Sequence, residues 1–277
     1  MRPAQMADIP QIKSLLQRRI ETSMFPLSNL IDYGLKGTEL RAQSIWVSKD
    51  VSGVLCLTNE GMILPQLPNF QEWSRVADIL RGRKVIGCLG ATDQVNALLE
   101  ASGLAGSHCS QNSDEPLLTL LLANMQAQTE TRGRLVPLEM APLDTICAWR
   151  TNYHIEIMGT APDKAQSRAR ADIEGYVAAG THRALMIQGV PVSMTGFNAV
   201  CGDTVQVGGV YTPSRLRRNG YAEQALSLHL HEARANGTQR ALLFAASQTA
   251  AGVYNRIGFQ QVGQYSIRLF RHAEVAS

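Results

Sequence analysis

The stretch "VQVGGVYTPSRLRRNGYA" (205–222) decides how this chain is read. It opens as an apolar strand and passes through a turn carrying Arg215, Arg217 and Arg218 ahead of Gly220. It then enters a helix on which Ala222, Ala225, Leu226, Leu230 and Ala233 form one stripe at helical spacing. A strand that turns through glycine into a helix leaves backbone N–H groups pointing outward, and the helix dipole adds partial positive charge there. Such a turn is an anion site, and phosphate is a frequent occupant. The three guanidinium groups add charge, and Gly220 lets the backbone approach closely. For three arginines taken alone, a solvated basic turn that merely starts a helix is the competing reading.

The rest of the composition keeps that anion site local. Basic residues number 26 against 23 acidic ones, a net charge of +3. A general nucleic-acid binder would be far more basic, so no nucleic-acid partner is expected. The hydrophobic share of 45% against 18% charged supports a full globular core. The 277 residues suffice for one large domain or two ordinary ones. Cys56, Cys88, Cys109, Cys147 and Cys201 are odd in number, and no two are close. With no Cys-x-x-Cys, neither a metal site nor a disulfide framework is expected. The opening "MRPAQMADIPQIKSLL" lacks the apolar stretch of a signal peptide, and no run approaches membrane-spanning length. A cytoplasmic protein without a membrane partner is the expectation. Two other phosphate loops are absent from the sequence: G-x-x-x-x-G-K-[ST], and G-x-G-x-x-G after a strand.

The chain also echoes itself. "RPAQMADIPQI" (2–12) aligns without a gap on "VPLEMAPLDTI" (136–146), matching Pro3 with Pro137, Met6 with Met140, Ala7 with Ala141 and Ile12 with Ile146. "LLEASGL" (98–104) resembles "VYNRIGF" (253–259). Each of the second pair reads as a last helical turn, a glycine stop and an apolar residue entering a strand. Two matches in the same order favour a duplicated fold. The polar "NMQAQTETRGR" (124–134) separates the copies. Helices are expected near 7–20, 92–102, 219–235 and 249–257, with strands near 45–48, 52–58, 84–89, 117–122, 203–212, 240–247 and 260–270. "RALMIQ" (183–188) and "PVSMTGFNA" (191–199) around Gly189 predict a β-hairpin. The fold class is therefore α/β, with mixed sheets.

Arg217-Arg218-Asn219-Gly220-Tyr221-Ala222 fits the [QR]-x-x-G-x-[GA] signature, and the chain here resembles the GNAT superfamily of acetyl-CoA-dependent N-acetyltransferases. In that family the loop amides wrap the diphosphate of coenzyme A. The preceding "VQVGGVYTP" is similar to the family's fourth strand, which splays from its neighbour and binds the pantetheine arm. Val210, Tyr211 and Thr212 occupy the matching positions, and "SQTAAGVYNRIGF" is similar to the second signature, a helix with a tyrosine before "GF". The resemblance implies two tandem GNAT-like domains, each a mixed, mostly antiparallel sheet flanked by helices. Residues 1–125 would be a degenerate copy without a CoA site, 126–134 a linker and 135–277 the acetyltransferase domain. It implies acetyl-CoA as acyl donor, held by Val210, Tyr211, Thr212, Arg215, Arg217, Arg218, Asn219, Gly220, Tyr221 and Ala222.

Acyl transfer from a thioester to an amine needs a polarised carbonyl and a proton for the leaving thiolate. The Tyr254 hydroxyl is a neutral donor at pH 7 and stands at the family's catalytic-tyrosine position. The Val210 amide is the candidate donor to the thioester oxygen. Glu156 and His154, in "YHIEIMG" (153–159), are the candidates to relay the amine's proton, and each also reads as a surface residue. His229 and His231 read as helix-surface residues and Met186 and Met194 as core. Phe197 and Asn198 read equally as a strand end or as the border of an acceptor pocket. In the first half Leu99 falls where Tyr254 stands, and "MILPQLPNFQEWSRVADILR" (62–81) has no glycine. That half is expected to bind no CoA. The acceptor implied is a small-molecule or peptide amine; the alternatives are a non-catalytic CoA-binding module or sensor, and an aminoacyl-transferring relative.

Overall fold

The structure is a computed structural model and describes residues 1–126 and 132–277. It divides into two compact units, Met1–Leu117 with Gly263–Ser277, and Leu118–Val262. The sequence reading placed everything after 135 in one domain; the structure instead assigns the last segment to the first unit. The physical reason is strand pairing: Tyr265 lies opposite Ala91, and Leu269 opposite Gly87, in an antiparallel ladder. Most of the expected linker 126–134 lies outside the described residues.

The second unit opens with β7 (Arg134–Pro137), a short 3-10 turn and α5 (Leu143–Glu156). Then come α6 (Pro162–Ala179), β8 (His182–Ile187), β9 (Val190–Cys201), β10 (Thr204–Tyr211), α7 (Tyr221–Ala235), β11 (Arg240–Phe244) and α8 (Gln248–Ile257). The sheet order β7-β8-β9-β10-β11 is antiparallel except for β10 and β11, which run parallel. The hairpin turn between β8 and β9 has Gln188 at φ 48 and Gly189 at φ 81. Two consecutive positive φ values are what a type I′ turn requires, so the hairpin expected around Gly189 forms there.

Strand alternation gives the sheet two covered faces. On one, Ala184, Met186 and Met194 pack with Ile146 and Trp149 of α5 and Ile173 of α6. On the other, Leu226 and Leu230 of α7, both fully buried, meet Phe197, Val205 and Val207. Each fully buried leucine contributes about 1.5–3 kcal/mol. His229 belongs to this face too: it is 2% exposed and stacked on Phe197 at 3.9 Å between centroids. The reading of His229 as a surface residue is therefore corrected, because Phe197 supplies a flat apolar partner beneath the helix.

The first unit repeats the order. It has β1 (Arg2–Pro3), α1 (Ile9–Arg18), α2 (Ile20–Tyr33), β2 (Gln43–Val47), β3 (Val54–Thr58), β4 (Met62–Gln66), α3 (Trp73–Leu80), β5 (Lys84–Ala91) and α4 (Thr92–Ala101). Again one adjacent pair, β4 and β5, is parallel between antiparallel neighbours. β6 (Cys109–Leu121) runs from the first unit into the second, and β12 (Gln260–Val275) begins in the second and belongs to the first from residue 263. The echoed motifs occupy matching places. Gly103 (φ 68) ends α4 before buried Leu104, and Gly258 (φ 113) ends α8 before buried Phe259. Ile12 and Ile146, aligned from sequence, are both fully buried.

Candidate active site

Parallel pairing between β10 and β11 covers only Thr204 to Gln206. Beyond Gln206 a cavity of about 540 Å³ opens between the end of β10, the start of α7, the end of β11 and α8. The pairing of β10 with β9 also breaks here, passing from Gly208–Gly196 to Tyr211–Met194 and skipping Gly209 and Val210. Gly209 makes this bulge with φ 62. Side chains crowd the strand from behind. A Cβ on Gly208 would meet the Asn198 amide at 1.9 Å, and one on Gly196 the His182 ring at 2.0 Å. The glycines are therefore the seats of those two side chains, and Asn198 and Phe197 are not in the cavity wall.

The wall of the cavity contains Val210, Tyr211, Thr212, Arg217 and Arg218. Gly220, Tyr221, Ala222 and Tyr254 line it as well. Arg215 and Asn219, expected at the cofactor, are not in the wall. Arg215 sits in a short 3-10 turn, and Asn219 donates to the Leu216 and Arg217 carbonyls at 3.1 and 3.2 Å, pinning the turn. Arg218 (φ 66) and Gly220 (φ 76) are both left-handed. For a non-glycine residue this costs about 1–2 kcal/mol, strain that is usually kept for a purpose. α7 has no side-chain cap at its N-terminus, so its first N–H groups face the cavity side unsatisfied by a cap. Uncapped amides, a helix N-terminus and two guanidinium groups form the donor set a diphosphate needs.

Tyr254 is half-buried on α8, with its ring edge-on to Phe259 at 6.1 Å. α8 is started by Ser247, whose hydroxyl accepts from the Ala250 N–H at 3.1 Å. Tyr153 and Ile157 add an apolar edge to the cavity that sequence reasoning did not single out. Arg256, also in the wall, donates to Glu223 at 2.7 Å and was likewise missed. The Gly-Gly pair inside a strand was the available signal for the bulge.

Glu156, at the end of α5, is brought to Arg217. The guanidinium donates to one carboxylate oxygen at 2.7 Å, and the Tyr211 hydroxyl donates to the other at 3.4 Å. That hydrogen bond raises the pKa of Arg217, whereas Tyr211 is raised chiefly by burial. His154 is 4% exposed and has both ring nitrogens engaged, with Asp172 at 2.8 Å and Thr160 at 3.3 Å. Asp172 also accepts from Arg150 at 2.7 Å, so these residues tie α5 to α6. His154 is thus a structural residue rather than a proton relay. Among the described residues no group of three metal-ligating side chains converges, and no helix is long and apolar enough to cross a membrane.

At the matching place the first unit packs side chains together. Leu67, just past the last parallel pair of β4 and β5, is 1% exposed, and its N–H donates to Gln94 at 2.6 Å. Phe70 and Trp73 pack edge-to-face at 5.3 Å against the core there. Leu99, aligned with Tyr254, is a core residue.

Residues 143–259 match the family profile of the Acetyltransferase (GNAT) family. A GNAT-family acetyltransferase from Colwellia psychrerythraea has the same fold, with a TM-score of 0.50 at 13% identity over 98% of this chain and 99% of its own. A GCN5-related N-acetyltransferase from Kribbella flavida reaches 0.55 at 15% identity over 91% and 95%. A tandem GNAT protein from the clavulanic acid biosynthesis pathway gives 0.54 at 12% identity over 96% of each chain. No curated protein matches the sequence. The match to the GNAT family thus lies in the second unit, over residues 143–259. The chain has the fold of the tandem GNAT proteins, with the family's domain recognisable in the second unit.

Proposed function

We propose that the second unit is an N-acetyltransferase that moves an acetyl group from acetyl-CoA to a primary amine, and that the first unit binds no CoA. The observation that carries this reading is one cavity lined by both the arginine turn at the start of α7 and Tyr254 of α8. The N–H groups at the start of α7, with Arg217 and Arg218, hold the diphosphate; Val210 and its neighbours on the bulged strand accommodate the pantetheine arm. The Val210 amide polarises the thioester carbonyl. The amine nitrogen forms the new N–C bond, the C–S bond breaks, and Tyr254 gives its proton to the departing sulfur while the amine's proton leaves to water. Glu156 is given no proton-transfer role: its carboxylate lies at the turn as a partner of cationic and hydroxyl donors, Arg217 and Tyr211.

Calorimetric titration of acetyl-CoA into the wild type and an Arg217→Ala/Arg218→Ala variant tests the binding half. One site per chain, weakened tenfold or more in the variant, is the expected result. A free-thiol assay over a panel of primary amines tests turnover. Binding without turnover on any amine would favour the alternative of a CoA-binding module.

A further inference from the structure

Arg217 is not waiting in solvent for its anion. Its Nη2 donates to Glu156 Oε2 at 2.7 Å, its Nε donates to the Thr212 carbonyl at 3.0 Å, and its guanidinium carbon lies 5.7 Å from the centroid of the Tyr211 ring. The Tyr211 hydroxyl reaches the other Glu156 oxygen, and Tyr153 stands edge-on to Tyr211 at 6.2 Å. A carboxylate beside an aromatic face is a receptor for a flat or tetrahedral cation. Here that receptor is built from the end of α5 and the end of β10, and the group filling it comes from the turn. Arg217 is 47% and Glu156 40% exposed, so water screens the pair and it is easily exchanged. A diphosphate at the neighbouring amides competes for the same guanidinium with more charge and more acceptor atoms.

We propose that Glu156 and Tyr211 form a cation subsite for the acyl acceptor, which Arg217 fills only while the diphosphate is absent. This rests on the reading of Arg217 as a diphosphate ligand. The acceptor class follows from the chemistry. The nitrogen that is acylated must be neutral to attack, whereas a group held against a carboxylate keeps its charge. The acceptor therefore carries an ammonium or guanidinium group in addition to the amine that reacts. Because the protein's own occupant is a guanidinium, 4-aminobutylguanidine is the natural probe, and n-butylamine is its counterpart without the second cation.

The experiment measures binding of the two probes by calorimetry to the CoA-saturated and CoA-free protein, in the wild type and in Glu156→Gln. Expected is binding of 4-aminobutylguanidine to the CoA-loaded wild type at least tenfold tighter than of n-butylamine. That preference should be lost in Glu156→Gln and in the CoA-free protein, where Arg217 occupies the subsite. Coenzyme A itself should bind Glu156→Gln as tightly as the wild type or up to fivefold tighter. Equal binding of both probes, no binding of either, or a preference that survives Glu156→Gln overturns the subsite and leaves the acetyltransferase reading standing. A wild type that binds no CoA overturns the reading on which the subsite rests.

Discussion

The Leu67 N–H donates to Gln94 at 2.6 Å in the first unit, whereas Gly209 and Val210 are skipped by the β9 ladder in the second. Both places lie just past the last parallel strand pair of their unit. In one copy a side chain holds the strand's amide; in the other the strand's residues line a cavity. Acetyl-CoA is accordingly expected to bind once per chain. Gln94→Ala should lower stability by about 1–3 kcal/mol, because a buried donor loses its partner. It should leave the stoichiometry at one by calorimetry; a second site would contradict the silent reading of this unit.

Tyr254→Phe removes one hydroxyl from a half-buried ring. If that hydroxyl protonates the thiolate, kcat should fall by about 10²-fold or more, with acetyl-CoA affinity within about twofold of wild type. A kcat within threefold of wild type would make Tyr254 a packing residue.

Gly196→Ala would set a methyl 2.0 Å from the His182 ring, which is itself stacked on Tyr176 at 3.5 Å and 9°. The ring has no room to retreat, so a loss of about 1–3 kcal/mol in urea unfolding is expected. Gly175→Ala is the control. It lies within α6 with open space around it, and should gain about 0.5–1 kcal/mol.

Stability should fall as the solution is acidified from about pH 6.5. His182 and His229 are 1% and 2% exposed, and burial depresses the pKa of each from 6.5 to about 3. Above pH 6.5 both states are neutral and neither histidine contributes. Between 6.5 and 3 the unfolded chain takes up protons that the folded chain refuses, so unfolding is favoured by on the order of 1 kcal/mol per pH unit for each. His229→Gln should show a shallower slope in denaturant melts over this range. An unchanged slope would mean that His229 is protonated in the folded protein.

Asp172→Asn should cost about 2–3 kcal/mol, since Arg150, 8% exposed, would lose its counter-charge. The damage should appear in thermal melts and not in acetyl-CoA affinity, because neither residue lines the cavity.

The elements legible in the sequence were those whose signal is local. The α7 stripe holds, with Ala225, Leu226 and Leu230 fully buried, and the paired helix stops at Gly103 and Gly258 are left-handed in both copies. Trp73–Leu80 was not read as a helix, although Val76, Ala77 and Leu80 repeat at helical spacing; eight residues give the pattern too few turns to stand out. His229 was misread because a single residue's partner across a sheet leaves no trace in its own neighbourhood. Six of the ten residues expected at the cofactor, 217–222, come from one short motif; of the ten, Arg215 and Asn219 lie outside the cavity wall, Asn219 pinning the turn instead.

By itself the sequence determined the arginine turn, the hairpin and the duplicated order of elements. Left-handed glycines, helix starts and apolar periodicity are set by bonds and contacts within a few residues of one another. Tertiary structure alone decided that 263–277 completes the first unit, that Glu156 meets Arg217 and that Gln94 takes the Leu67 amide. The last strand has the same alternation whichever unit it joins, and a carboxylate does not record in sequence which distant guanidinium it will face. Those choices are made by the packing of whole elements, where burial and charge pairing between distant segments outweigh any local preference.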